Sequence, residues 1–308
     1  MSKNEVITVR KHKKLGGSGI LMNLVSYSLI GLFALACLIP FYLVILGSFT
    51  SDTYMIKNGY PLFPTGSWQF SLEGYNLCLK NPTEIISAYA TTAGVTITGT
   101  VIAVFLATMT GYVLSRKDFP WRNHFSFFFF FTTLFSGGLV PSYLLCTRYL
   151  GFKNSYRALI LPMAFSVWNM IIAKSFMAGI PASITESAKM DGAHDFLIYV
   201  KLILPLSKPL VATLSLFSAL AYWNDWYNCM LYITDDNKFM LQYYLQRMLG
   251  SAEAMRRVAE NSGIAITTVP LESMKMAMTV IATGPIILLY PFVQRYFVKG
   301  MTIGAVKG

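Results

Sequence analysis

A chain of 308 residues with 55% hydrophobic and only 13% charged residues, and a mean hydropathy of +0.52, is too apolar for an ordinary soluble domain and is long enough to cross a bilayer several times. The formal net charge of +11 reads as membrane topology and contact with anionic lipid headgroups, and not as a nucleic-acid footprint. With four cysteines in no CxxC or metal-ligand spacing, neither a disulfide framework nor a zinc site is indicated.

In chain order, residues 1–20 form a basic N-terminal arm with Lys3, Arg10, Lys11, Lys13 and Lys14. Its Gly16–Gly19 stretch lacks the Gly-Lys-Ser/Thr ending of a phosphate loop. The first span is predicted at 21–49. Ala34-Leu35-Ala36-Cys37 superficially suggests a cleavage site, but the apolar run continues to Phe49, longer than a signal core, so an uncleaved anchor is expected. An outer loop covers 50–86. A core then covers 87–295, with further spans at 87–114, 125–146, 159–179, 202–222 and 273–294, each long enough for about 30 Å of hydrocarbon at about 1.5 Å per residue. Gly137, Gly138, Pro141 and Pro162 interrupt the third and fourth spans, which membrane helices tolerate when neighbours satisfy the freed backbone groups. A tail at 296–308 closes the chain.

Lysine and arginine gather in alternate connections: the arm, then Arg116, Lys117 and Arg122, then Lys189, Lys201 and Lys208, then Arg295, Lys299 and Lys307. That pattern places both termini on the cytoplasmic side, with Arg148, Lys153 and Arg157 of one short outer loop dissenting. Cys78 and Cys229 then share the outer side and could meet, although isolated thiols are the simpler state. The outer loop 224–272 is too polar to cross. Within it Leu241, Tyr244, Leu245, Met248 and Leu249 share one helical face, which suits a surface platform or a lid.

The most informative stretch is 181–205, polar and lodged between apolar spans. Ser183 and Glu186 have capping-box spacing, so a short helix is expected to start at Ser183 and to stop at Gly192. Ile184, Ala188 and Asp191 fall on one stripe, with small Ala188 allowing close approach, and His194–Lys201 is expected to form a second amphipathic helix. An interfacial hairpin with Glu186 serving only as a cap accounts for these residues equally well. His12, His124 and His194 are scattered, and no HExxH, GxSxG or EF-hand pattern occurs, so nothing indicates an enzyme. An ion-coupled carrier would place ionisable residues at mid-membrane, and few lie away from the span ends.

Glu186-Ser187-Ala188, Asp191-Gly192-Ala193 and Leu204-Pro205 together resemble the EAA loop of ABC importer permeases. Ser187 departs from the usual second alanine while remaining small. Three further landmarks match in order: Gly111–Arg116, Tyr222–Trp226 with its Trp-Asn pair, and the terminal Gly300–Gly308, similar to maltose-type carbohydrate permeases. Phe135–Pro141 and Leu241–Leu245 look like the branch that imports complex oligosaccharides, uronate-rich ones included.

The resemblance implies an all-α membrane protein with six transmembrane helices of the type I importer fold and a cytoplasmic coupling helix, in a bacterial plasma membrane. It also implies a second homologous permease, two ATPase subunits that use ATP and Mg, an extracytoplasmic solute-binding protein and a carbohydrate substrate, with no cofactor on this chain. Coupling falls to Glu186, Ser187, Ala188, Asp191, Gly192 and Ala193, with Lys307 and Gly308 reaching the ATPases. Trp168, Asn169, Trp223, Asn224 and Tyr227 are candidates for the substrate path; interfacial aromatics and an interhelical asparagine would look the same. A permease for a non-sugar solute is the nearest alternative.

Overall fold

The computed structural model describes residues 17–64, 66, 68–262 and 270–287. Among them the chain is helical, and its one extended contact is an antiparallel bridge between Thr50 and Phe70. Among the described residues two helices are long and apolar enough to cross a bilayer unaided, Leu21–Ser48 and Pro82–Ser115, and three sharply bent pairs could each make one more span. The predicted sixth span, 273–294, is described as a helix over 271–287 and otherwise lies outside the described residues, as do the tail and residues 1–16 of the basic arm.

Helix α1 (Gly17–Ser48) carries outward-facing apolar side chains along nearly its whole length, Leu32 and Phe33 both 71% exposed. A helix apolar all round belongs in lipid or against another membrane protein. Two short helices, α2 (Asp52–Asn58) and α3 (Glu73–Cys78), lead into α4 (Pro82–Ser115), the central element. Pro82 opens α4 at its first position, where a missing N–H costs nothing. Helix α4 packs against α8 (Val167–Ala178) and α12 (Lys208–Trp223) and is buried at Ala88, Val95, Ala103, Ala107 and Tyr112. Glycines let the helices approach. A Cβ on Gly99 would lie 2.4 Å from the Tyr222 ring, and one on Gly111 would lie 2.6 Å from the Ala173 Cβ and 2.9 Å from the Lys174 backbone.

The predicted third span is bent, not straight. Helices α5 (Arg122–Leu134) and α6 (Leu139–Leu144), the latter extended by a π-helical turn through Tyr149, meet at 110°. The hinge is the Gly137-Gly138 pair, with Gly138 at φ +88°. The fourth span is also divided, into α7 (Tyr156–Ile160) and α8, on either side of Pro162. Helix α9 (Ala182–Met190) follows at 77° to α8. Then α10 (Asp195–Ile198), a π turn and α11 (Leu204–Leu206) form one continuous rod that meets α12 at 85°. The bend at Ser207 falls inside the predicted fifth span, 202–222, with residues 202–206 on the rod before it and α12 after it.

At the other end of α12, α13 (Tyr227–Tyr232) leads to the amphipathic α14 (Leu241–Ser262), whose expected face is the buried one: Leu241 0%, Tyr244 8% and Leu245 4% exposed. Helix α15 (271–287) packs against it through Leu271, Met274 and Met278. Asp52 caps α15 from a distant part of the chain, its Oδ1 accepting the amides of Glu272 at 2.7 Å and Ser273 at 3.2 Å. Cys78 and Cys229 are both buried and all four cysteines are free. Among the described residues there are three cores. One joins the first half of α4 to α12, α14 and α15, a second joins its other half to α8 and the hairpin, and a small third gathers Cys146, Ala158 and Tyr232.

Candidate functional site

The polar hairpin follows α8 and meets the end of α4. The capping box expected at Ser183 does not form. Pro181, with extended backbone (φ −58°, ψ 131°), occupies the cap position, so the helix starts at Ala182 and Ser183 already lies in the first turn with no side-chain cap bond. Proline's fixed φ suits that junction and displaces the start by two residues. The stop is as expected. Gly192 is left-handed at φ +81°, its N–H bonds the Lys189 carbonyl at 3.0 Å, and the Ala193 N–H bonds the Ala188 carbonyl at 3.0 Å, the reciprocal pair of a Schellman ending.

The faces of α9 are placed differently from expectation. Ala188 is 9% exposed and packs with Met177 of α8, Ile198 and Tyr199 into the second core, with Ile184 half-buried beside it. Its small side chain therefore serves the protein's own interior. Asp191, expected on the same stripe, is exposed, and Ala193 is half-buried against that core. The outward stripe, spaced three and four residues apart, is Ser183, Glu186, Ser187 and Met190. Met190 is 83% exposed, an unbranched, polarizable side chain offered to whatever covers this face.

What holds the hairpin is a ring of four charges. Arg116, which caps α4, donates Nε to Asp118 at 2.8 Å and Nη2 to the same carboxylate, Nη1 to Asp195 at the start of α10, and Nη1 to the Tyr112 hydroxyl at 3.2 Å. Lys189 of α9 lies 3.1 Å from Asp118 and 3.5 Å from Asp195 and closes the ring. The Arg116 side chain is 14% exposed, while Asp118 and Asp195 are 55% and 61% exposed. Hydrogen bonding to Arg116 holds both carboxyls below their usual range, and hydrogen bonding to Asp118 raises Arg116 and Lys189. The folded state thus favours all four charged forms. The carboxylate contribution is present above the ordinary value of 3.8 and lost on acidification, and the cationic contribution is lost only in strong alkali. A cleft of ≈ 310 Å³ opens beside the ring, lined by Lys117, Pro181, Thr185 and Glu186 among others. Sequence reasoning passed over Arg116, Asp118, Lys189 and Asp195 as a group because it joins residues as far as 79 positions apart. Lys174 of α8 donates to Ser126 Oγ of α5 at 2.8 Å.

The candidate substrate-path residues lie in two places, at the start of α8 and around the end of α12. Trp168 is 69% exposed at the start of α8. Asn169 is 7% exposed and bonds Ser218 Oγ of α12 at 3.3 Å. Trp223 is 8% exposed and donates its indole N–H to the Ala282 carbonyl at 3.0 Å, which fixes α12 to α15. Asn224 is exposed, accepting from Gln242 at 3.3 Å, and Tyr227 is 42% exposed. Lys307 and Gly308 lie outside the described residues. Among the described residues no cluster of potential metal ligands occurs.

Residues 123–303 match the family model of the binding-protein-dependent transport system inner membrane component. The chain belongs to this family. It is a membrane-integral transport permease, as the EAA-like hairpin and the other landmarks indicated. Over 289 residues it is 39% identical to the polygalacturonan/rhamnogalacturonan transport system permease protein YtcP of Bacillus subtilis, covering 94% of this chain and 99% of that one. It is 37% identical over 272 residues to Protein LplC of the same organism, covering 88% and 90%. Among solved structures it matches a bacterial ABC transporter involved in the import of the acidic polysaccharide alginate, with a TM-score of 0.75, 27% identity, and coverage of 93% of this chain and 100% of that one.

Proposed function

We propose that this chain is the permease subunit of an ATP-driven oligosaccharide importer, forming half of the translocation pore and receiving force through α9. The observation that carries this reading is the hairpin: a stripe of Glu186, Ser187 and Met190 faces outward while the charged ring binds its base to α4. A ligand shifts a conformational equilibrium only through contacts that differ between states. A hairpin braced to the central helix is a suitable lever for that. The similarity to a polygalacturonan/rhamnogalacturonan permease and to an alginate importer supports the carbohydrate part of the proposal.

In this account the chain spans the membrane six times with both termini in the cytoplasm and pairs with a second, homologous permease. Two ATPase subunits bind ATP and Mg, and a solute-binding protein delivers sugar from outside. Closure of the ATPase pair draws the hairpins of the two permeases together and turns the cavity outward. Glu186 and Ser187 with Met190 contact the ATPase, Asp191, Gly192 and Ala193 shape the turn, Ala188 seats the helix, and Lys307 and Gly308 enter between the ATPases. Sugar passes the exposed Trp168, Asn224 and Tyr227, while Asn169 and Trp223 hold helices together around the path.

The test is reconstitution of both permeases, the ATPase and the binding protein in proteoliposomes, with import of oligosaccharide and ATP hydrolysis followed together. Import that requires ATP and is reduced by Glu186→Ala supports the reading. Import by this chain without an ATPase would refute it and favour an ion-coupled carrier.

A further inference from the structure

We infer that the groove between α14 and α15, bordered by Trp226, is a binding subsite for the hydroxyl-bearing faces of sugar rings and does not read acid groups. The inference rests on the carbohydrate reading above and adds a location and a ligand chemistry to it.

The groove has a volume of ≈ 490 Å³, within the range of about 300–1,000 Å³ typical of small-molecule sites. Each helix contributes one face. From α14 come Gln242 and Gln246, spaced four apart, with Leu245 and Leu249 behind them. From α15 come Lys275, Thr279 and Thr283, again at four-residue spacing, with Met278 and Ala282 forming the floor. A polar stripe on a membrane helix must face protein or water. Here it faces an open cleft.

The polar atoms suit hydroxyls. Thr279 donates to the Lys275 carbonyl at 2.8 Å and Thr283 to the Thr279 carbonyl at 2.6 Å, so each hydroxyl proton is already spent and its oxygen is left to accept. Gln242 donates to Asn224 at 3.3 Å, which joins the predicted path residue to the groove, and exposed Gln246 offers both a donor and an acceptor. The apolar floor of Leu245, Met278 and Ala282, 4%, 6% and 7% exposed, together with the Trp226 indole, presents surface to C–H edges. Trp226 is held edge-on against Tyr227, with ring centroids 5.8 Å apart.

The cation decides against acid recognition. Lys275 Nζ lies 3.3 Å from Glu272 and 3.6 Å from Glu253, two carboxylates for one ammonium. A uronate carboxylate would have to displace one of them and meet the other's repulsion. Hydroxyls and ring faces meet no such opposition. If the cargo carries acid groups, another part of the complex reads them.

The test uses the complete reconstituted complex and three probes: an oligogalacturonate, its methyl ester, and an arabino-oligosaccharide. Gln246→Ala and Thr279→Val are each expected to raise the KM for every imported probe about fivefold, the equivalent of one net hydrogen bond of about 1 kcal/mol. Where both the acid and its ester are imported, the factor is the same for the two. In a Cys37→Ser background, a thiol at Thr279→Cys is expected to react with a small polar reagent and to be protected by saturating probe, a reading that does not depend on transport. Unchanged KM with no protection overturns the groove, and so does a Lys275→Gln effect confined to the acid probe. Import of none of the three by the unmodified complex overturns the carbohydrate reading itself, and the groove with it.

Discussion

Replacing Arg116 with Met tests whether the charged ring transmits force. Methionine keeps the aliphatic stem and removes the donors to Asp118, Asp195 and Tyr112. Asp118 and Asp195 are 55% and 61% exposed, so water takes over their solvation and no stranded charge results. The cost therefore lies nearer the 0–1 kcal/mol of a surface pair than the roughly 3–5 kcal/mol of a broken buried one. Two such pairs and the bond to Tyr112 give about 1–2 kcal/mol, partly offset by Lys189, which still spans both carboxylates. That is about a 5- to 30-fold shift from braced toward unbraced hairpin. In proteoliposomes, ATP hydrolysis is expected to continue while sugar imported per ATP falls about fivefold. A double-mutant cycle with Asp195→Asn is expected to be non-additive by at least about 0.5 kcal/mol. Unchanged import per ATP, or additive effects, would refute the bracing argument.

Three further outcomes follow from the geometry. Gly192→Val places a β-branched residue at φ +81° and is expected to lose about 1–2 kcal/mol, read as faster proteolysis or hydrogen exchange confined to 182–206. Gly111→Val drives a side chain into Ala173 and the Lys174 backbone, so α8 must move; a cost of about 1–3 kcal/mol or more is expected, measured as a lower midpoint of thermal unfolding in detergent. Because both ring carboxyls are held below their usual range, a spin-label distance between α4 and α9 is expected to stay constant from about pH 8 to pH 5 and to lengthen only below about pH 4.

Much of this protein could be read from its residues, because membrane helices are set by runs of apolar side chains and their breaks by Gly and Pro. Gly137-Gly138, Pro162 and Gly192 each mark a real interruption. The angles were not legible, since a bend of 110° depends on neighbours and not on composition. Nor was the start of α9, where Pro181 supplied a cap conformation that competed with the Ser183–Glu186 pattern. Which way Ala188 faces was not legible either, because periodicity defines a face without saying which side is buried. The ring was hidden by sequence distance: Arg116 and Asp195 meet only when α4 and the hairpin are packed. The stripe of Lys275, Thr279 and Thr283 was visible at four-residue spacing, but only the second helix reveals that it borders a groove.

The most direct measurement is photocrosslinking from position 190, with Met190→p-benzoylphenylalanine in the assembled complex. Met190 is 83% exposed on the outward stripe of α9. An adduct with the ATPase subunit is expected, with a yield that changes when ATP and loaded binding protein are added together. An adduct with lipid alone, or one to the ATPase that ignores the nucleotide state, would contradict a coupling role for α9.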